Sequence, residues 1–148
     1  MSRYTGFLAT LLLFTSTTFA EEKQCAPTPQ QFLGNSYIPN AAKPAQDVGK
    51  GLVMQGHVLS SATCEPIADA VIERWQAGNN GTYEMHLRAY MKPQPDGSYR
   101  FETEWPNMSI PHIHFIVTAD GYNKLTTQWI PDSKVSEAKF DLVLEPKF

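Results

Sequence analysis

An all-β fold is what this sequence predicts: an antiparallel β-sandwich of about seven to eight short strands, preceded by an extended N-terminal arm. Three observations predict it. From Gly51 onward, short runs alternate apolar and polar residues, the period of a half-buried strand. Clusters of turn residues separate these runs at near-regular spacing, and no stretch carries a helical period.

The first residues stand apart from that pattern. Residues 1–20 read as a signal peptide, with Arg3 as the positive region, Phe7 to Phe14 as the apolar region, and Thr18-Phe19-Ala20 as the cleavage site. The apolar run is too short to span a bilayer, so the expectation is an exported protein, periplasmic or extracellular, without a membrane span. Residues 21–50 are rich in Pro, Gln, Asn and Ala; Pro27, Pro29, Pro39 and Pro44 argue against regular structure there, leaving an extended arm or a disordered leader. Residues 51–148 form the domain. The net charge of −3, with no basic cluster, argues against nucleic acid as a partner. Cys25 and Cys64 are the only cysteines, and export favours a disulfide between them over two unrelated thiols.

The strands follow in order. Leu52 to Leu59 alternates imperfectly around Gly56, and Ser60 to Pro66 is turn material. In Asp69 to Gln76, Val71, Glu73 and Trp75 share one face, with Ala70, Ile72 and Arg74 on the other. Ala77 to Gly81 is a turn, and Thr82 to Met91 fits either another strand or an irregular excursion. Pro93 to Gly97 turns the chain into Ser98 to Thr103, where Tyr99 and Phe101 share a face. After the proline-bounded loop Trp105 to Pro111 come His112 to Ala119, Lys124 to Ile130 and Ala138 to Leu144.

The chemistry concentrates in Pro111-His112-Ile113-His114-Phe115. Side chains alternate along a strand, so His112 and His114 lie one pleat apart on one face while Ile113 and Phe115 enter an apolar layer. Two neighbouring neutral imidazoles make half of a metal site. His57 and His86, single imidazoles with no partner at ligand spacing, read as ordinary polar residues.

The order of motifs carries a resemblance: Cys64-Glu65-Pro66-Ile67-Ala68-Asp69-Ala70-Val71 through Trp75-Gln76-Ala77, Asn80-Gly81-Thr82-Tyr83, Asp96-Gly97-Ser98-Tyr99-Arg100-Phe101, the His112–His114 stretch, Gly121-Tyr122 and Leu125-Thr126-Thr127-Gln128. From about Gly51 to the C-terminus the chain resembles the intradiol ring-cleavage dioxygenases, the family of catechol and protocatechuate dioxygenases. That resemblance implies a non-haem Fe(III) held by Tyr83, His112 and His114, with Gln128 lining the active site. It implies a small aromatic diol and dioxygen as substrates, the ring opening between its two hydroxyl-bearing carbons. Homo-oligomerisation is common in the family. A phenolate is a hard anionic donor that favours ferric iron, and imidazoles are borderline donors of fixed direction.

The chain departs from the pattern in the loop Glu104-Trp105-Pro106-Asn107-Met108-Ser109-Ile110-Pro111. Family members carry a second tyrosine ligand there and an arginine just before the histidines; this loop is shorter and has neither. Tyr90 and Tyr99 are the candidate substitutes, with water as the third option. Two other readings use the same residues: a binding module with a degraded site, and an exported copper- or zinc-binding protein without ring cleavage.

Overall fold

A computed structural model describes residues 25–148. The expected signal peptide lies outside the described residues. Among the described residues there are nine strands: β1 (Lys43–Pro44), β2 (Leu52–Ser60), β3 (Val71–Gln76), β4 (Arg88–Met91), β5 (Ser98–Thr103), β6 (Ile113–Thr118), β7 (Leu125–Trp129), β8 (Glu137–Lys139) and β9 (Leu142–Leu144). One sheet has the order β1-β4-β3-β6-β7; the other has the order β5-β2-β8, with β9 also pairing β2. Among the described residues no helix is long and apolar enough to cross a membrane.

The alternation seen in the sequence builds the core between the sheets. Leu52, Met54 and Val58 of β2 and Tyr99 and Phe101 of β5 face Ile72 of β3, Ile113, Phe115 and Val117 of β6, and Leu125 and Trp129 of β7. All are nearly or fully removed from water, which is the main favourable contribution to the fold. Arg74 lies on this inner face. Its guanidinium sits 3.9 Å over the Phe101 ring and its terminal nitrogens donate to the carbonyls of Ala45 and Gln46, so backbone oxygens and a ring face meet most of the buried cation while Nε stays unpartnered.

The sheets are mixed rather than purely antiparallel. Within each, the long ladders β2/β5, β3/β4, β3/β6 and β6/β7 are antiparallel. The short pairings β1/β4, β2/β8 and β2/β9 are parallel. The C-terminal stretch expected as one strand is two, broken at Phe140-Asp141. Gly56 is the cause: a Cβ there would stand 2.1 Å from the Phe140 carbonyl oxygen, so only glycine lets the chain cross β2 at that point. Asp141 then accepts from the His57 amide, and Tyr99 donates its hydroxyl to the Phe140 carbonyl.

The N-terminal arm is ordered along the outside of the larger sheet. Cys25 and Cys64 are joined by a disulfide. Gln31 N–H donates to the Thr126 carbonyl at 2.7 Å, and the Gln30 side chain accepts from Thr126 N–H, so the arm covers the free edge of β7. Lys43–Pro44 pairs with β4 at the opposite edge despite the proline, a placement open to proline only at a sheet edge.

Candidate metal centre

Register places the site. Trp75 and Gln128 are the direct cross-strand partners of His114, from β3 and β7. Arg88 of β4 is in turn the partner of Trp75. Directly opposed residues share a face, so Arg88, Trp75, His114 and Gln128 form one row across the outer face of the sheet. His112 precedes β6 and stands beside His114, the two rings edge to face with centroids 4.6 Å apart.

Tyr83 reaches this row from the turn between β3 and β4. Asn80 caps that turn by accepting from the Thr82 amide and hydroxyl. Gly78 N–H donates to the Thr82 carbonyl, and Gly81 has φ of 75°. The chain then runs as a short 3-10 turn, Met85–Leu87, into β4, so the stretch left open between strand and excursion is both. The Tyr83 hydroxyl lies 2.8 Å from His112 Nε2 and 3.4 Å from His114 Nε2.

These three donors fit a metal ion. Atoms held about 2.1 Å from one centre at the angles of tetrahedral or octahedral coordination are about 3.0–3.4 Å apart, close to the separations seen. His112 Nδ1 lies 2.7 Å from the Ile110 carbonyl, which accepts a hydrogen bond only from a protonated Nδ1, so the Nε2 lone pair faces the site. His114 is 4 % exposed; burial, then the neighbouring His112, pushes its pKa down to about 4, so it is a neutral donor at pH 7. Its Nδ1 is buried without a partner. Burial raises the Tyr83 pKa above the ordinary phenol value, and Arg88 and Ser36 pull it only part of the way back, so without a metal the group is the neutral phenol. Among the described residues no cluster of three or more His, Cys, Asp or Glu side chains could hold a metal; the third oxygen or nitrogen donor beside the two imidazoles is the Tyr83 phenol.

The sequence-predicted residues divide cleanly. Tyr83, His112 and His114 converge, and Gln128 flanks them on the same face. Tyr99 does not take part: it is 3 % exposed in the inter-sheet core, and burial raises its pKa strongly. Tyr90 opposes Glu73 on β4, next to β1 at the far edge, and is partly exposed. The loop 104–111 contributes no phenol. It is pinned instead to the turn below Tyr83, with Asn107 donating to the Gly78 and Asn79 carbonyls.

Four contributors lie outside the sequence-predicted set. Trp75 stacks on His114, with centroids 4.9 Å apart and planes 10° apart, and Tyr37 packs on Trp75 at 5.0 Å. The arm crosses the site at Gly34: a Cβ there would stand 3.1 Å from His114 Cε1. Arg88, 5 % exposed, supplies a cation. Trp75 had a signal in the alternation of β3; the arm residues had none, because their contacts are all long-range.

No protein-family model matches the chain. It is 32 % identical to catechol 1,2-dioxygenase 2 of Acinetobacter lwoffii, over 55 % of this chain and 40 % of that one. It is 29 % identical to catechol 1,2-dioxygenase 1 of the same organism, over 69 % and 45 %. The chain thus spans less than half the length of these relatives. Its fold is similar to the dioxygenase domain of a dioxygenase carbohydrate-binding protein fusion from Streptomyces sp. SirexAA-E: TM-score 0.71, 27 % identity, covering 82 % of this chain and all of that one. It also matches the fold of Acinetobacter radioresistens catechol 1,2-dioxygenase at TM-score 0.72 and 18 % identity, over 84 % and 64 %. In sequence and in fold the chain is similar to the intradiol ring-cleavage dioxygenases.

Proposed function

We propose that the chain is a non-haem Fe(III) intradiol dioxygenase that opens a small catechol between its two hydroxyl-bearing carbons and incorporates both atoms of dioxygen into the diacid product. The observation that carries this reading is the convergence of the Tyr83 hydroxyl and the His112 and His114 Nε2 atoms on the outer face of one sheet. Tyr83, His112 and His114 hold the iron, and Gln128 lines the bound diol. When bound, ferric iron supplies Lewis acidity that favours the diol dianion and draws electron density from its ring.

The chain's own residues do the rest. His112 is aimed by the Ile110 carbonyl, and His114 is fixed against Trp75, so both imidazoles present Nε2 in set directions. The arm at Gly34 and Tyr37 covers the His114 side and keeps water from it, which strengthens electrostatic interactions there. Tyr83 is the proton-bearing group at the site: its hydroxyl donates to His112 Nε2 in the metal-free chain and loses that proton on metal binding. Export belongs to the same reading, supported by the Cys25–Cys64 disulfide, which suits an oxidising compartment.

Metal content and visible absorbance of the purified protein, before and after catechol under air, test the proposal. Stoichiometric iron, a phenolate band that shifts with catechol, and a muconate-type ultraviolet product are expected. His112→Ala and His114→Ala should each lose the metal, and Tyr83→Phe should lose the coloured band. Iron with a catechol shift but no product would favour the binding reading, which the absence of a phenol from loop 104–111 supports. Failure to bind iron would overturn the enzyme.

A further inference from the structure

Two arginines are buried in the larger sheet, and their circumstances differ. Arg74 faces the core and gives its terminal NH groups to the Ala45 and Gln46 carbonyls, its Nε alone being left without a partner. Arg88 faces outward, in the row that contains Trp75, His114 and Gln128. It is 5 % exposed, its Nε is buried without a partner, and among the described residues no carboxylate lies within 4.0 Å of it. A buried guanidinium left without an anion is unfavourable unless something fills the place.

The two groups that most raise the basicity of Arg88 against its burial are Tyr83 and then Glu73, and Arg88 in turn lowers the pKa of both. Arg88 opens β4 directly after the turn that carries Tyr83, and its side chain is on the sheet face where the Tyr83 oxygen stands 2.8 Å from His112 Nε2. Glu73 is a diagonal neighbour on the same face and competes for the cation without forming a close pair.

We propose that Arg88 binds the substrate, its buried and unfilled guanidinium holding the anionic oxygen of the diol beside Tyr83. The proposal rests on the dioxygenase reading above. A guanidinium stays charged throughout the working pH range and offers donors in a fixed fork, so it favours a deprotonated diol over the neutral one. A neutral phenol gains much less from the same contact.

Binding rather than turnover tests this. Iron-loaded full-length protein is titrated under argon with 4-nitrocatechol, whose visible spectrum reports ionisation of its hydroxyls. Arg88→Gln should weaken binding about tenfold or more and raise the pH at which the bound probe ionises. Arg88→Lys should recover part of both effects, which restored packing alone would not do. Glu73→Gln, which removes the competing anion from a half-buried position, should tighten binding severalfold. Unchanged affinity and spectrum in Arg88→Gln would overturn the proposal. If that variant does not fold, Arg88→Lys and Glu73→Gln decide, and no gain in Glu73→Gln overturns it. Wild-type protein that binds the probe while Arg88→Gln binds it equally well overturns Arg88 alone; wild-type protein that takes no iron, or takes iron and ignores the probe, overturns the dioxygenase reading, and this one with it.

Discussion

Gly34 and His114 show how tightly single residues define the site. Gly34 has φ of 72°, a region costly for a side chain, and a Cβ there would press on the His114 ring at 3.1 and 3.3 Å. Gly34→Ala should therefore cost about 1–2 kcal/mol in urea unfolding and, if His114 holds iron as proposed, should also lower iron occupancy. His114 itself makes the metal-free protein acid-sensitive. Its pKa is about 4 in the fold against 6.5 unfolded, so between those values the unfolded chain holds the extra proton. Its contribution is full above about pH 6.5, falls as pH drops toward 4, and amounts to on the order of 3 kcal/mol. Urea midpoints measured across that window should decline in the wild type and decline less in His114→Asn. Parallel curves for the two proteins would contradict the assignment.

At the scale of elements, the strands were legible in the sequence and the arm was not. The strands β3, β5, β6 and β7 show their faces through period-two alternation, and each lies within a residue or two of its expected bounds. The β8/β9 break was hidden because its cause, Gly56 under the Phe140 carbonyl, is a contact between distant parts of the chain. The arm has no period at all; its order comes from the disulfide, the edge of β7 and the Arg74 guanidinium. Cys25→Ser with Cys64→Ser removes the first of these ties. Closing a loop between residues 39 apart should be worth on the order of 4 kcal/mol, so the variant should melt lower, and the Gln31 amide should exchange faster with solvent while the β3 and β6 amides stay protected. Equal exchange at Gln31 would mean that the edge pairing holds the arm unaided.

For the whole molecule, the grouping of Tyr83, His112 and His114 was readable and its surroundings were not. His112 and His114 announce themselves by spacing, and Tyr83 by the resemblance of its Asn-Gly-Thr-Tyr turn. Arg88 and Trp75 join them only through the lateral order β4-β3-β6-β7, which no local pattern states. The indole stacked on His114 has a practical consequence. Trp75 lies within contact of one proposed ligand, whereas Trp105 and Trp129 pair with each other within the inter-sheet core. The protein thus carries its own optical gauge: a ferric ion at His114 should dim the emission of one indole far more than that of the other two. Fluorescence of unlabelled protein, with Trp75→Phe as the blank, can then follow metal loading in real time.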